Sequence, residues 1–286
     1  MSGRYSTYLT ERFPILTILP AALLFALSAA LYPTAPSDVP FSFGAYFCSA
    51  FVAFAFLALT RIADEHRDLK YDTVHHPERP VPSGLVTLHE LRIGGLVLLA
   101  LMVIFSFLVS PRLLIPLGIV FIYYILNSFS FFMKNRILKH TQVFIFARVL
   151  ILFFLDAFTV FAQVICSNIQ PAIWSTLCYM CCRLFAAYAL DIALRKNHPH
   201  AAGFNKIRHM LLFGSTVISF LLFIVSMLSL HNTILIYIIA ALGFIICLAC
   251  IFFSNTNHRL LRLEKFGTIL YCLIVVLLPC FASRLM

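Results

Sequence analysis

Charge is scarce in this chain of 286 residues: only 11% are Asp, Glu, Lys or Arg, and just eleven are acidic. A water-soluble surface needs about a quarter of its residues charged, so a soluble globular fold is excluded. Polar stretches are short as well. The longest, at about 63–88 and 194–208, are linkers too small to form a soluble domain, and no repeat of 20–50 residues is evident. The ten Gly are scattered and give no matched pair of helix breaks in two halves of the chain, which removes the main signature of a transporter. The nine Cys lie in or at the edge of apolar stretches, where a thiol acts as a small hydrophobe. Cys178, Cys181 and Cys182 have a zinc-like spacing, but they lack a second pair or a His partner in the same stretch.

What the chain has in quantity is apolar length, with 62% hydrophobic residues. Runs of about twenty apolar residues predict an all-α polytopic membrane protein with nine transmembrane helices. The spans are expected at 13–32, 42–62, 89–110, 113–133, 141–163, 171–193, 209–230, 232–253 and 266–284, in a single domain covering 1–286. With nine spans, seventeen of the 21 Lys and Arg fall on the side of the N-terminus. Only Arg112 and Arg284 fall opposite, and Arg148 and Arg183 lie within spans. Positive loops stay in the cytoplasm, so the N-terminus is expected there, the C-terminus outside, and the chain in a bacterial inner membrane. The net charge of +10 then reads as topology plus attraction for anionic lipid or a phosphorylated substrate, and no nucleic acid is expected as a partner. Removal of the first 30 residues as a signal peptide would upset this charge parity.

Four of the eleven acids, Asp64, Glu65, Asp68 and Asp72, fall within nine positions, interleaved with Arg67 and Lys70 and following Arg61. On a helix Asp64, Asp68 and Asp72 sit at i, i+4 and i+8, an acidic stripe with Glu65 beside it. Stacked carboxylates repel one another and favour a cation between them; oxygen ligands suit a hard ion such as Mg²⁺, commonly shared with substrate phosphates. The bland alternative is a solvated helix end paired with Arg61, Arg67 and Lys70. Pro77, Pro80 and Pro82 forbid further helix, Gly84 permits a sharp turn, and Thr87 can cap the helix opened by His89 and Glu90.

These residues resemble the UbiA-type intramembrane prenyltransferase superfamily, whose members carry N-D-x-x-D-x-x-x-D after the second helix, followed by R-P-x-x-S-G. Arg79-Pro80-Val81-Pro82-Ser83-Gly84 fits the second element completely. Asp68 and Asp72 match the last two family Asp residues, Asp64 stands where the family has Asn, and Glu65 stands at its first Asp. A second motif, D-x-x-x-D, follows the sixth helix in the family; Asp191 matches its first Asp, and Arg195 occupies the place of the second.

The resemblance implies a helical bundle around a central cavity, a lipophilic acceptor, and Mg²⁺ held by the two motifs that grips an isoprenyl diphosphate. Asp64, Glu65, Asp68, Asp72 and Asp191 would be the metal ligands, with Asp68, Asp72 and Asp191 central to catalysis. Arg79 and Lys134 would contact diphosphate. Arg195 and Lys196 are added because cations at the altered second motif can neutralise diphosphate directly. An Asp at position 64 disfavours an anionic carboxylate acceptor. A terpene cyclase, a lipid-binding relative without turnover, and a transporter of an anionic lipid are the alternatives. Arg148, Asp156 and Arg183, within spans, are expected to pair structurally or line the cavity. Tyr123, Tyr124 and Asn127 are candidates for the cavity face or, for the tyrosines, interfacial anchoring. His198 and His200 lack a carboxylate or Cys partner for a transition metal.

Overall fold

The structure, a computed structural model, describes residues 2–32, 41–128, 142–168, 173–194, 202–228, 234–256 and 261–282. The described residues contain helices and no strand. They form α1 (Ser2–Arg12), α2 (Ile15–Leu31), α3 (Phe43–His75), α4 (Leu88–Val109), α5 (Leu114–Ser128), α6 (Gln142–Val149), α7 (Ile151–Ser167), α8 (Ile173–Leu194), α9 (Ala202–Leu228), α10 (Ile234–Thr256) and α11 (Leu261–Ala282). A 3₁₀ turn, Pro111–Leu113, joins α4 to α5.

Each expected span coincides with a helix, α6 and α7 together making the fifth. Among the described residues seven helices are long and apolar enough to cross a bilayer. The bent pair α1–α2 brings the number to eight. The fold is therefore an all-α membrane bundle, as the apolar runs dictate.

Local sequence explains the element ends. Pro14 disfavours helical geometry at Phe13, so the chain bends by 54° between α1 and α2, leaving α1 as a short amphipathic helix ahead of the first span. Ser42 accepts a hydrogen bond from the Ala45 backbone N–H and starts α3, which runs for 33 residues. At 1.5 Å per residue that is about 50 Å, well beyond a hydrocarbon core of about 30 Å. The last turns of α3 therefore stand clear of the apolar layer, and they carry the acidic motif. α3 stops at His75 before Pro77. Gly84 takes φ +77°, and Thr87 and Glu90 form a reciprocal capping box that opens α4.

Two apolar cores build the bundle. One is shared by α3, α4, α5 and α7, the other by α8, α9, α10 and α11. α2 packs on α3, α7 and α11 and so joins the two groups. Ala22, Ala26, Ala29 and Ala30 are buried on α2, and such small side chains let helix backbones approach closely. Deep in the bundle Arg183 of α8 lies 3.2 Å from Asp156 of α7 and donates to the Phe25 carbonyl of α2 at 2.9 Å. The intramembrane charges thus tie three helices together. Tyr123 donates to the Ala147 carbonyl and Tyr124 to the Leu59 carbonyl (2.7 Å), so both hydroxyls join helices; Asn127 is buried.

Candidate active site

The site begins on the projecting end of α3. At 100° per residue, positions i and i+7 lie almost in line, whereas i and i+8 diverge by about 80°. The acidic stripe accordingly divides. Glu65 and Asp72 point together into the protein, with side chains 2% and 4% exposed, while Asp64 and Asp68 turn outward at 20% and 48%.

Each pair has its own arginines. Arg12, at the end of α1, donates from Nε to Glu65 Oε1 at 2.7 Å and from its terminal nitrogen to Asp72 Oδ2 at 3.5 Å. Arg61 lies one turn before Glu65, 3.2 Å from the same Oε1, and Arg79 donates to Asp72 Oδ1 at 2.7 Å. The outer pair shares Arg67, which reaches Asp64 at 2.5 Å and Asp68 at 3.1 Å. Burial works against the charge on Arg12, yet its hydrogen bond to Glu65 and the charges of Glu65 and Asp72 hold its pKa above the ordinary value. The 54° bend is what allows this contact, since it turns α1 back over the end of α3.

The turn after α3 is as ordered as Pro77 and Gly84 suggest. The backbone N–H of Arg79 donates to the His76 carbonyl at 3.1 Å, and that of Ser83 donates to the Arg79 carbonyl at 2.9 Å. Arg79 is thus fixed against Asp72 at the rim of the bundle, with N–H groups to spare.

Asp191 lies half-buried near the end of α8. The helix end beyond it is held by Arg208 of α9, which donates to the Ile192 carbonyl at 3.2 Å and the Ala193 carbonyl at 3.5 Å and pairs with buried Glu264 of α11. A cation on the last carbonyls of a helix is favourable, and this one anchors the helix that carries the second motif. Lys134, Arg195 and Lys196 lie outside the described residues.

Among the described residues no group of three or more His, Cys, Asp or Glu side chains converges as a metal cage, so Asp191 and the α3 carboxylates do not form one. The donor set suits a more open arrangement. Mg²⁺ is usually held by one or two carboxylates together with substrate phosphates and water, and Asp64 and Asp68, one turn apart and both paired with Arg67, supply that number. Glu65 and Asp72 are committed to arginines. Sequence reasoning counted Arg12 only toward topology, and its proximity to the motif depends on the bend.

The fold and these side chains define a polytopic helical membrane bundle with a carboxylate–arginine array at one end of a projecting helix. The UbiA prenyltransferase family model matches residues 18–281, and the chain belongs to that family of intramembrane prenyltransferases. No curated protein matches the sequence significantly. A solved structure of a digeranylgeranylglyceryl phosphate synthase is similar over 99% of this chain and 100% of that one, with a TM-score of 0.72 and 16% identity. An apo UbiA homologue from Aeropyrum pernix K1 is similar over 92% of this chain and 96% of that one, with a TM-score of 0.62 and 14% identity. At such identities the likeness speaks for the fold.

Proposed function

We propose that the protein transfers an isoprenyl group from an isoprenyl diphosphate to a lipophilic acceptor in the membrane, with Mg²⁺ as cofactor. The observation that carries this reading is the division of labour on α3: two buried carboxylates locked by arginines form a frame, and two outward carboxylates one turn apart remain for a cation. In this reading Asp64 and Asp68 would hold Mg²⁺, and Asp191, which does not converge with them, would act on the diphosphate separately from α8. The metal, when bound, would counter the charge that develops on pyrophosphate as the allylic C–O bond breaks.

The chain's own side chains do the rest. Glu65 and Asp72, each held by two arginines, fix the end of α3 and the Arg79 turn so that little reorganisation accompanies substrate binding. With Asp64 and Asp68 serving a cation, the planar fork of Arg67 would be free to meet diphosphate oxygens. Arg79 contacts diphosphate with the N–H groups not used on Asp72, joined by Lys134, Arg195 and Lys196. Because Arg195 replaces an acid, it neutralises diphosphate directly, and the Mg²⁺ requirement should be weaker than for a two-metal site. The apolar bundle excludes the water that would quench an allylic cation. In this reading the N-terminus and the site face the cytoplasm, which the excess of Lys and Arg on the side of the N-terminus supports.

The test is pyrophosphate release by the purified protein in lipid with Mg²⁺, across isoprenyl diphosphates of increasing length and with membrane lipid extract as acceptor. Release that disappears in Asp68→Ala/Asp72→Ala is expected. No release with any donor would remove the reading.

A further inference from the structure

Three charged residues stand well inside the spans; Asp156 and Arg183 pair with each other, and Arg148 is left over. It stands one residue before the end of α6 and is half-buried, and among the described residues it makes no hydrogen bond, ion pair or ring contact. An intramembrane cation without a counter-ion is expensive and marks a functional site unless it reaches the lipid headgroups. Its place on the helix argues against the headgroups. α6 runs on into α7 as one span, Ile145–Ser167. At 100° per residue Leu155, Thr159 and Ala162 lie within about 40° of Arg148, and all three are buried, whereas Phe161, about 140° away, is 53% exposed. Arg148 therefore extends the inward stripe of this span, the stripe whose Leu155 and Ala162 enter the core shared with α3 and α5.

Two observations put the outer carboxylates of α3 at the same end of that core. Phe56 packs on Phe121 and Tyr124 of α5, and Arg67 follows it by eleven residues, three turns within about 20°, so the arginine that clasps Asp64 and Asp68 extends the stripe of α3 that faces α5. Tyr123 and Tyr124, neighbours on α5, donate to the carbonyls of Ala147 and Leu59, which sets those two residues at similar depth. Asp64 lies five residues, about 7.5 Å, beyond Leu59. Helical side chains lean toward the N-terminus of their helix, and α3 and α6, with two spans between them, run in opposite directions. Arg148 thus leans toward the motif, while Asp64 and Arg67 lean back toward Arg148. Charge then defines the ligand. Asp64 and Asp68 already share Arg67; with a divalent cation this group carries one positive charge, and Arg148 makes it two. An oxyanion with more than one negative charge balances that, and a planar guanidinium suits phosphate oxygens.

We propose that Arg148 is a phosphate-binding residue, which meets from the fifth span the anion held at Asp64 and Asp68 and balances the charge of the bound cation. That this anion is the donor diphosphate rests on the prenyl-transfer reading above; that Arg148 takes a phosphate does not.

The experiment is equilibrium binding of inorganic pyrophosphate, with Mg²⁺, to the whole protein in phosphatidylcholine nanodiscs with and without added phosphatidylglycerol. Arg148→Gln should weaken pyrophosphate about tenfold, and Arg148→Lys, which keeps the charge without the fork, about threefold, equally in both lipids. Because Arg148 has no partner to lose, Arg148→Gln without pyrophosphate should unfold at the wild-type temperature, while the rise in unfolding temperature that pyrophosphate gives the wild type should shrink. Unaltered affinity in Arg148→Gln overturns the proposal. So does weaker affinity accompanied by a fall of several degrees in the ligand-free unfolding temperature, which would make Arg148 a structural residue. An effect of Arg148 that vanishes when phosphatidylglycerol is present would give the residue to a lipid headgroup and overturn its assignment to this site. Binding requires no turnover. A wild-type protein that binds pyrophosphate through Arg148 but releases none from any isoprenyl diphosphate would sink the prenyl-transfer reading and leave the phosphate site standing; release by the wild type with unaltered affinity in Arg148→Gln would do the reverse.

Discussion

Arg12 spans two buried carboxylates seven residues apart, and among the described residues no other side chain in the site makes two contacts of that kind across helices. Lys carries the same charge on a flexible stem without the planar fork, so Arg12→Lys should keep one contact and leave Glu65 or Asp72 short of a donor. We expect pyrophosphate release to fall about tenfold or more in kcat, equivalent to about 1.4 kcal/mol or more, with a smaller change in donor KM. An unchanged kcat would mean that Arg61 and Arg79 suffice to hold the frame. The pair Arg183–Asp156 is a different case, because both residues are nearly fully buried and far from the motif in sequence. Arg183→Met should destabilise the protein by about 3–5 kcal/mol by leaving Asp156 unpaired, and adding Asp156→Leu should recover much of that loss, as read by thermal unfolding in detergent. The sequence offered Arg148, Asp156 and Arg183 as cavity-lining or structurally paired charges, because intramembrane charge is rarely solitary, but not which of them pair. It did not reveal the division of the acidic stripe: a three-carboxylate spacing is equally compatible with one face or two until the partners of each carboxylate are known, and Arg12 lies 53 residues away from Glu65.

Among the elements, those whose ends are set by local chemistry were the legible ones. Pro77 ends α3, Gly84 takes the left-handed conformation that the turn requires, and the Thr87–Glu90 box starts α4, all of which follow from residue type and spacing. Thr87→Ala should cost the start of α4 about 1 kcal/mol, seen as roughly fivefold faster amide exchange over 88–92 with the remaining helices unaffected. Exchange that does not change there would mean that packing of Leu91, not the cap, holds the helix start. The packing of α10 on α11 was not legible. A Cβ at Gly267 would lie 2.7 Å from the Cβ of Cys250, so glycine is required by a neighbour 17 residues distant that no local pattern marks. Gly267→Val should therefore cost about 1–3 kcal/mol through overpacking, read as a lower unfolding temperature.

At the scale of the whole molecule, the helices were legible as apolar length, while the joining of the two helix groups through α2 depends on small residues whose partners are set only in three dimensions. If all nine expected spans cross, the termini lie on opposite faces, and the bias of Lys and Arg then leads us to propose a cytoplasmic N-terminus. The segments most open to another outcome are the first, where α2 has 17 residues after the bend, and the last, where Arg262, Glu264 and Lys265 begin α11. Glu264 is neutralised by Arg208 inside the bundle, so the acid at the start of α11 is compensated and does not oppose insertion of the 22-residue helix. Reporter fusions, one that is active only in the cytoplasm and one active only outside, should therefore give an N-terminus inside and a C-terminus outside. Both termini on one face would mean an even number of crossings, and cysteine accessibility at positions flanking α2 and α11 would then identify the helix that fails to cross. If that helix were α2, Arg12 would no longer be delivered to the end of α3, and the arginine frame around Glu65 and Asp72 would lose the residue that joins its two halves.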